Sequence, residues 1–423
     1  MAELAIRTAM LKLGSGLLER VLDLDRGHRG PEVSCGGGHW AGFRGYRDKT
    51  VDTVLGVVRL RRAYYHCREC GRGLFPRDRE LGIQGSSLSP GLRRMVARLG
   101  SQEPFAKAGR DLLELAGLRL TGKRVERSSE ADGEKVRAAI ESQAQAVIEG
   151  KVVPLGSARP IPLLYVAMDG TGVPTIPADT KGRRGKGEDG RAHTREAKLG
   201  CLFTQTGLDD RGHPRRDPAS SSYVATLDSA AAFGALLYAE ALRRGLHHAE
   251  RVVVLGDGAP WIWNLADEHF PRSLQVVDLY HAREHVHALG AQAFPTPGED
   301  SRRWLAARLA DLERGDIDHL VQSARDLQLP PTQRGEVQKH LPYFEVNRER
   351  MRYAHFRELG VFVGSGTVEA GCKSVVAHRL KQSGMRWSVR GSAAILSLRC
   401  QEAAGPSRWD QVWQWFHFQT TVA

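Results

Sequence analysis

The chain has 423 residues, 41% of them hydrophobic, which is enough for two or three domains with a large buried core. Lys and Arg (61) outnumber Asp and Glu (49), and the resulting net charge of +12 favours a polyanionic partner such as nucleic acid. The longest apolar stretches fall far short of the roughly 20 residues of a membrane span, and the N-terminus lacks a basic-then-apolar signal peptide, so we predict a cytoplasmic protein without a membrane partner.

Residues 1–82 are predicted to form a helix and then a β-hairpin. Leucines at 4, 11, 18 and 22 share one helical face within residues 3–24. The segment "TVDTVLGVVRLRRAYYHCRECG" then alternates apolar and polar residues on either side of Gly56. This alternation predicts two strands, and the hairpin leads into Cys67 and Cys70.

Cys67 and Cys70 have the C-x-x-C spacing of a zinc ligand pair, because a short turn brings two thiolates to tetrahedral separation. Cys35 and His39 can supply the other two ligands of a structural Zn²⁺ site. The alternative is a pair of free thiols in a turn, since a glycine run follows Cys35 where a second cysteine would make the pattern stronger.

Residues 83–155 are predicted to form a helical DNA-binding region. Ser89 and Pro90 are typical of a helix start, and two further helical segments are separated by the short turn "LRLTG". This outline resembles a helix-turn-helix, whose second helix would carry Lys123, Arg124 and Arg127 into a DNA groove. The alternative is a plain helical hairpin with a solvated basic face.

Residues 156–423 change to an α/β pattern. Five apolar runs predict strands: "LLYVAMDGTGVP", "AKLGCLFTQT", "SSYVATL", "RVVVLGDGA" and "LQVVDLY". The first strand is predicted to end at Asp169, within its run. A helix is predicted after the third strand and another after the fourth. This order is that of a ribonuclease-H-like core, a mixed five-stranded sheet with helices. Residues 286–357 are helical in pattern and are predicted to be an insertion in this core.

Two aspartates are predicted to lie side by side in that sheet. Strand one is central and strand four is its neighbour, so Asp169 and Asp257 are expected one strand spacing apart, roughly 4.8 Å at the backbone. Two such carboxylates repel unless a cation lies between them, and Mg²⁺ or Mn²⁺ is the natural choice. Asp278 also ends a strand, but strand five is two spacings from strand one, roughly 10 Å.

Glu369 is the candidate third acid, because Gly364-Ser365-Gly366 predicts a helix start that Ser365 caps. An acid that complements the helix dipole is the alternative for Glu369. Asp278 and His281 are predicted to orient local structure around the acids rather than to bind the metal directly.

Two further basic segments are candidates for contact with a DNA backbone, although such runs are usually solvated surface. One is the loop 179–198, and the other follows Glu369 and includes Trp387. Their basic side chains are Arg183, Arg184, Lys186, Lys373, Arg379, Lys381 and Arg386.

Over essentially its whole length the chain resembles the ISKra-type (number four) family of bacterial insertion-sequence transposases. The similar blocks are "LGVVRLRRAYYHCRECGRGLFPRD", "VAMDGTGVP", "TREAKLGCLFTQT", "VVVLGDGAPWIWNLADEHFP", "VVDLYHAREH", "RMRYAHFRELGVFVGSGTVEAGCK" and "RLKQSGMRWSVRG". The resemblance implies a DDE transposase with Asp169, Asp257 and Glu369 as its acids and two metal ions. The wider Mutator-like group has a C-or-D-x2-H signature, which Asp278 and His281 match, and a helical insertion before the glutamate.

What the resemblance implies is binding of the element's terminal inverted repeats through residues 1–150, metal-dependent cleavage and strand transfer into target DNA. It also implies at least a dimer on paired ends and a nucleoid-associated place in a bacterial cytoplasm. The alternatives are a ribonuclease-H-fold nuclease or resolvase that cleaves without joining, and a domesticated DNA-binding protein whose acids are relics.

Overall fold

The computed structural model describes residues 1–152, 160–185, 189–296 and 298–422. The chain divides into two compact units, Met1–Val136 together with Gly405–Ala423, and Arg137–Ala404. This division falls inside a continuous helix, Gly122–Ile148, and differs from the predicted boundary at residue 155, which lies outside the described residues. The C-terminal segment joins the first unit rather than the predicted catalytic domain, and Asp410 forms an ion pair with Arg94 there.

The first unit opens with helix α1 (Ala2–Asp23) and a four-stranded antiparallel sheet. Its strands are β1 (Glu32–Ser34), β2 (Trp40–Thr53), β3 (Gly56–His66) and β4 (Gly73–Leu74), followed by the short helix α2 (Pro76–Glu80). The predicted hairpin is confirmed, since β2 pairs with β3 across a turn in which Gly56 has φ of +117°. Leu18 and Leu22 of α1 pack on a buried cluster of hairpin side chains.

Three helices follow the sheet of the first unit, the last of which continues into the second unit, and a C-terminal helix belongs to the first unit again. They are α3 (Pro90–Gln102), α4 (Phe105–Ala116) and α5 (Gly122–Ile148), and the returning helix is α17 (Pro406–Val422). The Ser89 hydroxyl accepts the N–H of Leu92 at 3.3 Å, which confirms the predicted cap of α3. Helix α4 approaches the start of α5 closely, because a Cβ on Gly109 would lie 2.7 Å from the carbonyl oxygen of Leu120.

The second unit is built on the predicted mixed five-stranded sheet. Its strands are β5 (Ile161–Pro174), β6 (Thr194–Gln205), β9 (Ser222–Thr226), β10 (Ala249–Gly256) and β11 (Leu274–Val277), in the order β11-β10-β5-β6-β9. Strand β5 is central, parallel to β10 and antiparallel to β6. A separate two-stranded ribbon, β7 (Gly207–Leu208) and β8 (Pro214–Arg215), lies between β6 and β9 in the chain.

One strand boundary was predicted wrongly. The first strand of this sheet does not end at Asp169, because β5 stays paired with β6 as far as Pro174 and Thr194. On its other side the pairing with β10 ends at Ala167 and Leu255. Asp169 therefore lies within a strand whose parallel neighbour has just ended.

Helices surround this sheet. Before the predicted insertion come α6 (Pro177–Thr180), α7 (Ala230–Arg243) and α8 (Pro260–His269); the insertion region carries α9 (Leu279–Ala293), α10 (Glu299–Arg314), α11 (Ile317–Arg325), α12 (Pro331–Val346) and α13 (Tyr353–Glu358). After it come α14 (Gly366–Gly371), a π-helical turn (Cys372–Ala377), α15 (His378–Leu380) and α16 (Val389–Ala403). Residues 286–357 are thus helical, as predicted. Within the described residues, we find no helix with the length and apolar character needed to cross a membrane.

A buried tyrosine ties the centre of the sheet to the segment before α14. The Tyr165 ring stacks on Phe203 with 4.6 Å between ring centroids. Its hydroxyl donates to Gln205 Oε1 at 2.6 Å and accepts the N–H of Phe362 at 3.2 Å. Gln205 in turn donates to the carbonyl of Gly360 at 2.8 Å.

Tyr165→Phe is expected to lower the free energy of unfolding by about 1–3 kcal/mol, because it leaves buried polar partners without their hydrogen bonds. Urea unfolding of the full chain measures this. Tyr280→Phe, at a side chain that is 60% exposed, is the matched control and is expected to change stability by less than about 0.5 kcal/mol. Equal effects of both variants would contradict the prediction.

Candidate functional site

Asp169 lies in β5, and Asp257 directly follows the neighbouring parallel strand β10. Leu255 of β10 pairs with Ala167 of β5, and each aspartate follows two residues later in its own chain segment. The register therefore brings both carboxylates to the same end of the two strands, close enough for the negative charge of Asp257 to raise the pKa of Asp169. Both residues are partly buried.

Asp169 is a carboxylate in surroundings that disfavour its charge. Burial raises its pKa above the ordinary value, and the negative charge of Asp257 adds to this effect. The Cys372 thiol and the N–H of Gly170, at 2.6 Å, hydrogen-bond to it and partly oppose the shift. A cation bound beside such a group would favour its charged form, which burial alone disfavours.

The backbone at Asp257 requires the glycine that follows it. Gly258 has φ of +102°, and a Cβ there would lie 2.6 Å from the Tyr343 ring. The Tyr343 hydroxyl donates to the Asp257 carbonyl at 2.9 Å, and its ring stacks on His285 with 3.7 Å between ring centroids. Burial lowers the pKa of His285 to about 4, with the positive charge of His281 adding to the shift. Sequence reasoning missed Tyr343, for which the Asp-Gly step was the available signal.

Glu369 lies in the first turn of α14, which packs on β5 and β6. Gly371 permits this close approach, since a Cβ there would lie 2.9 Å from Tyr223 and 3.1 Å from Leu199. The predicted cap is wrong, because the Ser365 side chain makes no capping hydrogen bond to the helix. Its hydroxyl donates to Glu369 Oε1 at 3.4 Å instead.

Asp278 joins the start of α9 to the segment that leads into α14. This buried carboxylate accepts the N–H of His281 at 2.6 Å and also the N–H of Ser365. The N–H of Leu279 donates to the carbonyl of Val363 at 2.9 Å. Asp278 thus holds local structure beside Glu369, while His281 is half-buried with its ring against His285.

The three acids do not form a cluster around a single point. Among the described residues, the sets of three or more His, Cys, Asp and Glu side chains with ligand atoms mutually within 4.8 Å do not include them. One such set, Asp311, Asp316 and His319, is explained by ion pairing, because Asp311 accepts from Arg308 at 2.6 Å and lies 3.0 Å from His319 Nδ1.

The other set is the four predicted zinc ligands, Cys35, His39, Cys67 and Cys70, in the first unit. Thiolates bound 2.3 Å from a common tetrahedral centre lie about 3.8 Å apart. The sulfurs of Cys35 and Cys70 are 3.8 Å apart, which fits this spacing and is too long for a disulfide.

The glycine run after Cys35, a weakness in the sequence pattern, forms the turn that closes this group. Gly36 and Gly38 have φ of +77° and +80°, and the N–H of Cys35 donates to the His39 carbonyl at 3.0 Å. The N–H of Gly37 lowers the pKa of Cys35 to about 7, a value at which a large share of this thiol is in the metal-binding thiolate form.

The basic residues predicted after Glu369 separate into two groups. Lys381 is exposed and donates to the hydroxyl of Thr171, which lies two residues beyond Asp169 on the same face of β5. Lys373 and Arg386 are also exposed. Arg379 was predicted wrongly: it is 0% exposed and lies over Trp387, itself buried, so it cannot reach a DNA backbone.

The remaining predicted DNA contacts lie at the surface, apart from Lys186, which is outside the described residues. Arg183, Arg184 and Arg127 are exposed. In α5, Lys123 pairs with Glu126 at 2.8 Å and Arg124 with Asp52 at 2.7 Å, so these two cations already have acidic partners.

A family model matches residues 240–415. It describes an uncharacterised protein family, UPF0236. The matched part contains Asp257, Asp278 and Glu369 with the intervening helices, while Asp169 precedes it. No curated protein matches the chain.

Asp169→Asn is expected to stabilise the metal-free protein at neutral pH. Because its pKa is raised, Asp169 keeps its proton to higher pH in the folded state than in the unfolded chain. Stability therefore falls as pH rises from the unfolded pKa to the folded pKa, and it stays lower above both values. The neutral amide avoids that loss, and thermal unfolding at pH 7 in chelator should shift upward by about 2–4 °C for each kcal/mol gained.

The same comparison at about pH 3, below the unfolded value of about 3.9, should show little difference between variant and wild type. Asp210→Asn, at an exposed loop aspartate, is the matched control at both pH values. A wild type more stable than Asp169→Asn at pH 7 in chelator would contradict the reasoning on burial.

Proposed function

We propose that this protein is a DDE transposase that binds the terminal inverted repeats of an insertion sequence and catalyses DNA cleavage and strand transfer. The observation that carries the proposal is that Asp169 of β5 and Asp257, directly after β10, each lie two residues beyond the last pair of these parallel strands, with the helix of Glu369 packed on the same sheet. The strand order, with a central first strand, supports a ribonuclease-H-like core. The sequence blocks quoted above resemble the same class of enzyme.

The three acids would hold two Mg²⁺ or Mn²⁺ ions, and their all-carboxylate donor set fits these hard cations. When bound, such ions supply Lewis-acid stabilisation of the attacking and leaving oxygens of a phosphodiester. Acids whose ligand atoms do not all meet at one point fit a two-metal arrangement, which spreads its ligands over ions about 3.5–4 Å apart.

The chain's own residues position the acids and the DNA. Tyr343 fixes the backbone of Asp257, and Asp278 fixes the segment that leads into Glu369. Lys381, beside Thr171 on the face that carries Asp169, is placed to contact a scissile or flanking phosphate. Lys373 and Arg386 extend this basic surface after Glu369.

Recognition of the element's ends is assigned to residues 1–150, with α4 and α5 as the helical pair and Arg127 as an exposed cation near the start of α5. The positive net charge supports a DNA partner. Assembly on paired ends as at least a dimer, and a nucleoid-associated location, are parts of the same proposal.

A strand-transfer assay tests this function. The full chain is incubated with a labelled duplex carrying the terminal repeat, a plasmid target and Mg²⁺, beside Asp257→Asn. We expect joined products with the wild type and a loss of at least about 100-fold in the variant, because a metal ligand is removed. Asp267→Asn, on the exposed side of α8, is the matched control and should retain activity.

The other outcomes assign the alternatives. Nicked DNA without joining would indicate a nuclease or resolvase on the same fold. Intact DNA in a specific complex, with Mn²⁺ also inactive, would indicate a DNA-binding protein whose acids are relics. Weakened end binding in Asp257→Asn would contradict the division between end recognition and chemistry.

We also propose that the Cys35, His39, Cys67 and Cys70 group holds a structural Zn²⁺. The tetrahedral sulfur spacing and the burial of Cys35 and Cys67 in a small cluster with Tyr65 support this. The ion would fasten β1, β2 and the turn after β3, where the sheet itself is short.

The purified full chain is expected to contain about one zinc per molecule by elemental analysis. Cys67→Ser should abolish this content and lower the unfolding temperature of the first unit, because a site of this kind contributes to folding. Cys400→Ala, at a buried cysteine of the second unit, should keep the zinc. Zinc-free wild type, purified without chelator, would refute the site.

A further inference from the structure

Helix α1 has two apolar faces, and the protein covers one of them. The predicted face, with Leu18 and Leu22, packs against the hairpin. A second stripe, away from the hairpin, runs along α1 and onto Leu24, the helical-backbone residue that follows it. Its side chains are between 54% and 86% exposed: Ile6, Met10, Leu13, Leu17, Val21 and Leu24. None of the residues of α1 is buried.

The exposed stripe has the spacing of a helix-pairing seam. Met10, Leu17 and Leu24 are seven residues apart, and Ile6 and Leu13 alternate with them at steps of three and four. This is the a and d pattern of a coiled coil, and at 3.6 residues per turn all six side chains fall within about one quarter of the helix circumference. A surface helix that needs only solvent on this side would carry polar residues there.

Small residues flank the stripe. Gly16 lies mid-helix with nothing within 4 Å of a Cβ placed on it, and Ala9 is one heptad before it. Glycine weakens an exposed helix relative to alanine, so its presence here has no benefit for α1 alone. Both residues leave room for a second helix to approach closely.

The area of the stripe is sufficient for a stable pair. At roughly 100 Å² for each exposed apolar side chain, one stripe presents about 600 Å², at the upper limit of what monomers usually expose. Two stripes in contact would bury about 1,200 Å², which lies above the roughly 1,000 Å² expected of a biological interface.

The charges of α1 argue against a membrane or a nucleic acid as the occupant. Its three basic residues, Arg7, Lys12 and Arg20, are balanced by three acids, Glu3, Glu19 and Asp23. A helix that binds anionic lipid or phosphate carries an excess of basic residues beside its apolar face. A neutral helix with a heptad stripe fits a copy of itself.

We propose that α1 is the dimerisation helix of this protein and pairs with α1 of a second copy in antiparallel orientation. Arg20 decides the orientation, because it holds a d position and is exposed. A parallel pair would place it against the Arg20 of the second copy. In an antiparallel pair centred between Leu13 and Leu17, Arg20 lies opposite Met10, Ile6 lies opposite Leu24, and the two leucines oppose each other.

Light scattering coupled to size exclusion, on the full chain without DNA or added divalent metal, tests the proposal. We expect a dimer for the wild type and a monomer for Leu13→Glu with Leu17→Glu, with the dimer dissociation constant raised at least 100-fold. Thr8→Glu with Lys12→Glu, on exposed positions outside the stripe, is the matched control and should stay dimeric. Circular dichroism checks that each variant is folded.

Charge rescue tests the orientation. Leu13→Glu and Leu17→Lys should each weaken the homodimer, and their mixture should form a heterodimer, because an antiparallel pair brings residue 13 of one copy against residue 17 of the other. A parallel pair would give no rescue, which would overturn the antiparallel orientation.

A monomeric wild type, or a dimer that survives the double glutamate substitution, would overturn the proposal. A monomer that binds lipid vesicles would reassign the stripe to a membrane surface. Because the assay contains neither DNA nor Mg²⁺, its result is independent of the strand-transfer experiment, and either proposal can fail without the other.

Discussion

The register between β5 and β10 is the constraint on which the candidate site depends. It brings Asp169 and Asp257 to the same end of the two strands, and a shift of one residue in β5 would turn the Asp169 carboxylate to the opposite face of the sheet. The register is held by the buried parts of these strands, residues 164–168 of β5 and 253–256 of β10, where a slip would expose apolar side chains. Asp169 is thus positioned by the central strand itself, and Asp257 by the end of its parallel neighbour.

The third acid depends on contacts made far away in the sequence. Tyr165 and Gln205 hold the segment before α14 from the centre of the sheet, and Asp278 holds Ser365 from the start of α9. Between these anchors the chain passes through the helical region 286–357, whose Tyr343 returns to the Asp257 backbone. That region therefore supports Asp257, which gives it a role beyond separating the acids along the chain.

Local patterns were enough to predict the five strands of the large sheet, the N-terminal hairpin and the helical segments, because each has a strong period and clear glycine or proline boundaries. They were not enough for the end of β5, since residues after Asp169 are paired on one side only and alternate with glycine. Arg379 shows a second limit: a basic residue in a basic segment looks exposed until the ring of Trp387 is known to cover it. Neither Tyr343 nor Cys372 is marked by its own neighbours in the sequence, because each meets an acid that is distant in sequence; for Tyr343 the Asp257-Gly258 step was the only signal.

Asp169 also shows why the site is hard to explain as structure alone. Its neighbours in β5, Ala167 and Met168, are fully buried and apolar, and an apolar or amide side chain at 169 would avoid the cost of a buried charge. Burial and the charge of Asp257 raise its pKa, and the surrounding hydrogen bonds do not cancel that shift. Positions that break the local rules of a fold in this way are usually functional. A nearby cation would offset the free-energy cost of burying the Asp169 charge. The strand register brings Asp257 to the same place, and only this pair of carboxylates makes such a cation site available.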